Sequence, residues 1–276
     1  MVKLNSGYDI PELGFGVYQV DPADTAELVY SALKVGYRHI DTAQFYGNEY
    51  ETAQGILKWL KEGHGKRSDV FLTTKVRSPE GYDEVVESIN GSLQKIEGLE
   101  YLDLILLHSP MTNKEKRLGS WKAFQEFNEK GLIKSIGVSN YGNHHIKELQ
   151  DWEGLRVLPA VNQIELHPWN QRPNEVKYDR SLGIEIQAWS PLTQGKKFDD
   201  PQLLKLSKKY NKTPAQVLIK WSLQLGNIVL VKSSTQARQL ENLQVDDFEL
   251  SKEELESFKD EYLLTSPWWD PITYQG

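Results

Sequence analysis

The chain contains no cysteine among its 276 residues. Disulfide bonds, thiolate nucleophiles and zinc sites built on sulfur are therefore excluded. Positive charge is also in the minority, because 32 Lys and Arg stand against 39 Asp and Glu and leave a net charge of −7. That balance argues against nucleic acid or an anionic membrane as a partner. No run approaches the roughly 18 apolar residues of a spanning helix and no signal peptide is visible, so a cytoplasmic protein is expected.

Eight short apolar runs alternate with helix-like stretches along the chain. The runs are LGFGVYQ, YRHIDTA, DVFLTTKV, LDLILLHS, KSIGVSN, PAVNQIEL, IEIQAWSPL and NIVLVKSS. Continuous apolar runs are typical of buried parallel strands, and eight strand–helix alternations favour an α/β fold, the (β/α)8 TIM barrel. We expect one domain over residues 1–276. A short N-terminal hairpin and a C-terminal helix over SKEELESFKDEYLL, followed by a tail, complete the predicted architecture.

Seven side chains of useful chemistry stand at the ends of successive predicted strands. They are Asp41, Lys75, His108, Ser139, Gln163, Trp189 and Lys232. Each alone could simply cap a helix or close a loop. The carboxyl ends of barrel strands converge on one face, where active sites of this fold lie. Seven in sequence therefore indicate a site at that face.

Three of the nearby side chains suggest proton transfer to an oxygen. A phenol has a pKa of about 10, and a neighbouring ammonium lowers it. Asp41 can hold a buried Lys75 in its charged form, and Lys75 can then lower the pKa of Tyr46. His108 adds a neutral hydrogen-bond donor. This set lacks the usual nucleophiles, so it indicates carbonyl reduction with hydride from a cofactor.

The sequence has no Rossmann fingerprint to hold such a cofactor. Gly14 and Gly16 are followed by Gln19 where a third glycine is required. A dinucleotide would have to lie across the barrel mouth. The stretch VKSSTQARQLEN offers an anion site there, with Lys232 and Arg238 around the start of the last barrel helix.

Together these motifs resemble the aldo-keto reductase family, NADPH-dependent carbonyl reductases built on a (β/α)8 barrel. The motifs that carry the resemblance are GYRHIDTAQFYGNE, TTKV, LDLILLHSP, GLIKSIGVSN, VNQIELHP and KSSTQAR, in the family's order. The resemblance implies Tyr46 as proton donor, with Asp41, Lys75 and His108 completing a catalytic tetrad. It also implies NADPH/NADP+ as cofactor and a small carbonyl substrate. We further expect no metal site, since cysteine is absent and the histidines lack metal-ligand spacing, and a monomer.

The same resemblance implies a row of cofactor contacts. These are Gly16, Val17, Tyr18, Ser139, Asn140, Gln163, Trp189, Ser190, Leu192, Lys232, Ser233, Ser234, Arg238, Glu241 and Asn242. Ser139, Asn140 and Gln163 would bind the nicotinamide carboxamide, and Trp189 would stack on the ring. The Lys232–Asn242 segment would hold the 2′-phosphate and adenine.

The expected substrate pocket departs from the family pattern. Arg77 stands where many relatives have a tryptophan, and Ser109 follows His108 where some carry another. This predicts a more polar pocket. The residues expected to line it are Tyr18, Tyr46, Arg77, His108, Trp268 and Trp269. At least one of the two tryptophans is expected to lie opposite Tyr18.

Two other functions remain open at this point. A Schiff-base aldolase could use Lys75 or Lys232 as its nucleophile. A redox-sensing subunit could keep the barrel and the cofactor but turn over little substrate. Such subunits generally carry additional partner-binding segments, and none is visible in the sequence.

Overall fold

The computed structural model describes residues 1–77 and 79–276. The chain begins with the predicted hairpin, formed by antiparallel strands β1 (Val2–Lys3) and β2 (Asp9–Ile10). Leu4 and Ile10 of this hairpin belong to one buried cluster with Phe71 and Leu104 of the barrel. The hairpin therefore covers the amino-terminal end of the barrel, and the carboxyl ends of the strands form the opposite face.

Eight parallel strands follow and close into a barrel in chain order, with the last strand paired to the first. They are β3 (Leu13–Gly16), β4 (His39–Asp41), β5 (Phe71–Val76), β6 (Leu102–Leu107), β7 (Ile133–Ser139), β8 (Val161–Glu165), β9 (Glu185–Trp189) and β10 (Ile228–Val231). Each coincides with one of the predicted apolar runs. The (β/α)8 prediction is confirmed.

Helices surround the barrel and pack their apolar faces on the outward side chains of the strands. They are α1 (Pro22–Val35), α2 (Glu49–Lys61), α3 (Tyr82–Lys95), α4 (Lys114–Glu129), α5 (Asn143–Gln150), α6 (Pro173–Ser181), α7 (Pro201–Tyr210), α8 (Pro214–Gln224), α9 (Gln236–Leu243) and α10 (Lys252–Leu255). Local sequence sets several of their starts. Thr213 and Gln216 form a reciprocal capping box at α8, and the side chain of Asp21 caps α1. In the described part of the chain, no helix is long and apolar enough to cross a membrane.

The C-terminal helix is shorter than predicted from SKEELESFKDEYLL. The predicted cap at Ser251 is in place, but α10 has only 4 residues. Beyond it, Phe258 is buried and its ring packs against Trp169. The N–H groups of Glu261 and Leu263 both donate to the carbonyl oxygen of Trp169. These tertiary contacts bind backbone groups that a longer helix would have used internally, so the helix ends early.

A buried carboxyl group in α6 gives a testable pH dependence of stability. Asp179 is 1% exposed and accepts one hydrogen bond, from Asn162 at 2.8 Å. Burial raises the pKa of Asp179 to about 7, and the Asn162 hydrogen bond opposes the rise. In the unfolded chain the pKa is about 3.9. Between these values the folded state binds more protons, so this contribution to stability is full below about pH 4 and is lost as pH rises toward 7.

The Asp179→Asn variant should remove this loss. Relative to the wild type, its free energy of unfolding should rise by about 2–3 kcal/mol between about pH 5 and pH 8, as measured by urea unfolding. The exposed Asp199→Asn change is the control and should show no such trend. A stability difference that is equal at both pH values would contradict the prediction.

Candidate active site

A hydrogen-bonded chain of three side chains lies at the carboxyl ends of β4 and β5. Lys75 Nζ donates to Asp41 Oδ1 at 2.6 Å and to the carbonyl oxygen of Thr42 at 2.9 Å. It also donates to the hydroxyl oxygen of Tyr46 at 3.3 Å. Lys75 is fully buried, whereas Tyr46 is half-buried. Because Lys75 donates to the phenol oxygen, the phenolic hydrogen is free for another acceptor.

The segment after β4 holds Tyr46 in this position. Residues Gln44–Tyr46 form a 3₁₀ turn that ends at Gly47, whose φ is +71°. Glycine adopts this left-handed conformation without a side-chain clash. Asn48 is buried, and its amide donates to the carbonyl oxygen of Val17 at 3.0 Å. The short turn is therefore fixed to the end of the neighbouring strand β3.

The pKa of Tyr46 differs from the value expected from sequence. Burial raises the pKa of the Tyr46 hydroxyl well above its ordinary value, and the charge of Asp41 adds to the rise. The expectation of a pKa below the ordinary value is wrong for this structure, because burial and the charge of Asp41 outweigh the effect of the Lys75 ammonium. Asp41 contacts Lys75 at 2.6 Å and cancels much of its charge, so burial dominates. The phenol consequently keeps its proton at neutral pH.

His108 follows β6 and faces the phenol. Its ring centre is 5.8 Å from that of Tyr46, with the rings nearly perpendicular. Burial lowers the pKa of His108 to about 3, and the charge of Lys75 contributes to the same shift. The imidazole is therefore neutral, as predicted, and can donate one N–H beside the phenolic hydroxyl.

Sequence reasoning missed Gln187 and His39, which extend the hydrogen bonds of Asp41 and Gln163 into the barrel. Gln163 Nε2 donates to Asp41 Oδ2 at 2.9 Å and to Gln187 Oε1 at 2.7 Å. The amide of Gln187 lies 3.3 Å from the ring of His39. Both Gln187 and His39 are fully buried. A polar residue within each apolar run, IEIQAW and YRHI, was the available signal.

The predicted carboxamide-binding residues are brought together, but much of their hydrogen-bonding capacity is used within the protein. The Ser139 hydroxyl donates to the carbonyl oxygen of Gln163 at 2.8 Å. The Asn140 amide donates to the carbonyl oxygen of His108 at 3.0 Å, and its oxygen accepts from Trp189 Nε1 at 2.9 Å. Asn140 thus joins the ends of β6, β7 and β9 and fixes the indole ring of Trp189.

Two cations mark the predicted phosphate side of the mouth. Lys232 and Arg238 are exposed, and neither forms an ion pair with a carboxylate in residues 1–77 or 79–276. Thr235 caps α9 by accepting from the Arg238 N–H at 3.4 Å. The carboxylate of Glu241 accepts a hydrogen bond from Thr213 at 2.9 Å, and its contact with the cofactor stays a prediction. Nearby, Ser233 and Asn242 are buried and Ser234 is exposed.

The remaining predicted cofactor residues lie at the ends of β3 and β9. Gly16 ends β3, and the N–H of the buried Val17 donates to the carbonyl oxygen of Asp41 at 3.0 Å. Ser190 directly follows β9 and has a φ of +50°. Leu192 is partly buried in the same loop.

Aromatic side chains surround the mouth. The ring centre of Tyr18 is 5.0 Å from that of Tyr46, and that of Phe45 is 6.3 Å from His108. Trp269 packs 6.1 Å from Trp189, centre to centre. The neighbouring tryptophan of the tail, Trp268, is 86% exposed. A position of either tail tryptophan opposite Tyr18 stays a prediction.

Comparison with known proteins identifies the family. The profile of the Aldo/keto reductase family matches residues 12–262. The chain belongs to this family. An uncharacterized oxidoreductase of Saccharomyces cerevisiae is 46% identical over 256 residues, which cover 92% of this chain and 91% of the relative. A methylglyoxal reductase of Yersinia pestis is 42% identical over 257 residues, covering 92% and 90% of the two chains.

Solved aldo/keto reductases share the fold. The crystal structure of one from Brucella melitensis has a TM-score of 0.86 and 40% identity, covering 93% of this chain and 97% of that chain. One from Bombyx mori, in complex with NADP, has a TM-score of 0.88 and 32% identity, covering 96% and 94%. The family resemblance inferred from sequence is confirmed, and the family is one of oxidoreductases.

Proposed function

We propose that this aldo/keto reductase uses NADPH to reduce aldehydes or ketones to alcohols, with Tyr46 as general acid. The contact of Lys75 Nζ with the phenol oxygen, at 3.3 Å, is the observation that carries the proposal. Burial raises the pKa of Tyr46, so the proton stays on the phenol until a substrate oxygen takes it. The ammonium then lies beside the phenolate and stabilises it.

The charge pattern of the mouth supports NADPH as the cofactor. Lys232 and Arg238 can make charge-assisted hydrogen bonds to the additional phosphate of NADPH. Trp189, held by Asn140, offers a fixed aromatic surface for the nicotinamide. The Bombyx mori relative was solved with NADP. When bound, NADPH supplies a hydride to the carbonyl carbon.

The protein's own groups act on the carbonyl oxygen. Tyr46 O–H and a neutral His108 N–H can both donate to that oxygen and hold it between them. As the carbon gains hydride, the oxygen takes the phenolic proton. With a hydride delivered to the carbon, this proton would complete the conversion of the C=O group to CH–OH. Burial lowers the pKa of Lys75, and the Asp41 carboxylate at 2.6 Å opposes this shift and favours the charged form.

The aldolase alternative is disfavoured by the environment of Lys75. Its side chain has no exposed surface, and its nitrogen donates to three oxygen atoms. A Schiff-base lysine must offer an unshared electron pair to a carbonyl carbon that can reach it. Lys232 is exposed, but an aldolase that used Lys232 as its nucleophile would leave the Asp41–Lys75–Tyr46 chain without a role.

One assay separates the three functions. NADPH absorbance is followed with aldehydes, sugars, α-keto esters and diketones, and the alcohol product is identified. Substrate-dependent oxidation of NADPH supports the reductase. Trapping of substrate on the protein by borohydride, without NADPH loss, would support the aldolase. Tight NADPH binding without turnover on any substrate class would support a redox-sensing subunit.

Replacing Arg238 with Ala should change the choice of cofactor. The variant loses a cation expected to contact the additional phosphate, so NADPH binding should weaken by roughly 1.5–3 kcal/mol. NADH lacks that phosphate, and its binding should be nearly unchanged. Fluorescence titration with the two cofactors measures both values. Equal losses for NADPH and NADH would refute the placement of the phosphate at Arg238.

A further inference from the structure

We propose that Arg77 makes this site selective for carbonyl compounds that carry a negatively charged group remote from the carbonyl. The inference rests on the reductase function proposed above and names its substrate class. Arg77 directly follows β5, two residues after Lys75, and therefore lies on the face of the barrel where the proton donor lies.

The guanidinium of Arg77 contacts the ring of Phe45, and that ring lies close to His108. Its central carbon is 5.5 Å from the centre of the Phe45 ring. The Phe45 ring centre is 6.3 Å from that of His108, and Phe45 is the chain neighbour of Tyr46. The guanidinium is thus no farther from the His108 ring than these two distances added together. A small molecule with its carbonyl at Tyr46 can place a second group at Arg77.

The backbone at Arg77 is fixed relative to the proton donor. Its N–H donates to Gln44 Oε1 at 3.1 Å. The amide nitrogen of Gln44 donates to Ser92 Oγ at 2.9 Å and to the carbonyl oxygen of Ser88 at 2.8 Å, both in α3. Gln44 belongs to the same 3₁₀ turn as Tyr46. The proton donor Tyr46 and the backbone of Arg77 are therefore both fixed to the 3₁₀ turn Gln44–Tyr46.

Arg77 differs from the arginines of this chain that serve structure. Arg67, Arg117 and Arg172 are largely buried, and each forms an ion pair with a carboxylate. Arg77 is exposed and forms no ion pair within the described residues, and the nearby Glu80 binds Lys116 instead.

The Phe45 contact leaves Arg77 able to bind an anion. Phe45 is 56% exposed, so the cation–aromatic contact contributes little to stability. A contact with the ring face also leaves the N–H donors of the guanidinium free, and their planar fork fits a carboxylate. Within residues 1–77 and 79–276 this cation at the mouth has no carboxylate partner, so its charge is available to an anionic ligand.

The test compares one aldehyde in charged and uncharged forms. The substrates are para-carboxybenzaldehyde and its methyl ester, and NADPH oxidation is measured for the wild type, Arg77→Ala and Arg77→Lys. Arg77→Ala should raise KM about tenfold for the carboxylate and leave KM for the ester within about twofold. Arg77→Lys should restore part of the difference. Higher salt should weaken the wild-type preference for the carboxylate and leave Arg77→Ala unaffected.

Lys130→Ala is the matched control. Lys130 is also an exposed cation over a phenylalanine ring, 5.0 Å from the centre of Phe127, but it lies at the end of α4. Its removal should alter neither KM. If Arg77→Ala changes both substrates equally, or neither, the selectivity inference is overturned while the reductase function stands. If the wild type oxidises NADPH with neither aldehyde nor any other carbonyl compound, the reductase proposal fails and this inference fails with it.

Discussion

Replacing Tyr46 with Phe should lower kcat for carbonyl reduction at least about a hundredfold, the usual contribution of general acid catalysis. The change keeps the ring and removes the one hydroxyl that Lys75 Nζ contacts at 3.3 Å. NADPH binding should hardly change, because the phenol serves the substrate oxygen. Steady-state turnover and NADPH fluorescence titration measure the two effects separately.

Tyr18→Phe is the matched control for this loss. Tyr18 has its ring centre 5.0 Å from that of Tyr46. Its hydroxyl has no contact with Lys75 among the described atoms, so the variant should keep turnover within a few-fold. A Tyr46→Phe enzyme with near wild-type turnover would mean that the proton comes from another group. His108, 5.8 Å away between ring centres, would be the first alternative.

Replacing Lys75 with Met should reduce both stability and turnover. The change leaves the Asp41 carboxylate buried without its cation, and breaking a buried ion pair typically costs about 3–5 kcal/mol. The phenolate formed on Tyr46 also loses its stabilising charge, so we expect turnover to fall by about a hundredfold or more. Urea unfolding measures the first effect, and NADPH oxidation in the folded protein measures the second.

The double variant Asp41→Asn/Lys75→Met separates the two effects. It removes both charges, and replacing a whole buried pair is often close to neutral for stability. Gln163, which donates to Asp41 at 2.9 Å, can still donate to the side-chain oxygen of the introduced asparagine. Stability should therefore recover most of the loss, while turnover stays low. Recovery of turnover together with stability would show that Lys75 acts only in folding.

Several features of the fold and of the site were predictable from sequence because they depend on local pattern. Apolar runs such as DVFLTTKV became barrel strands, since a strand covered on both faces must be apolar throughout. Asp41 and Lys75 stand about one strand–helix unit apart, and parallel strands bring such residues to one face. Their types alone then indicated an ion pair beside a phenol.

Other features depended on contacts between distant segments. The length of α10 was set by Trp169, whose carbonyl oxygen binds the chain beyond the helix. The support of Asp41 by Gln163, and of Gln163 by Gln187, joins three strands inside the barrel. Sequence patterns show which residues share a face but not which polar atoms come within hydrogen-bonding distance.

The sequence by itself determined the barrel and the family, and it predicted the acid–base residues. Only the tertiary structure decided the state of those residues. Tyr46 beside an ammonium suggested a lowered pKa, yet burial and Asp41 raise it. From the sequence, Arg77 predicted only that the pocket is polar. In the structure it lies over the ring of Phe45 and forms no ion pair with a carboxylate of residues 1–77 or 79–276. The pKa of a side chain and its ion-pair partners depend on neighbours from distant parts of the chain. They are therefore fixed only when the chain has folded.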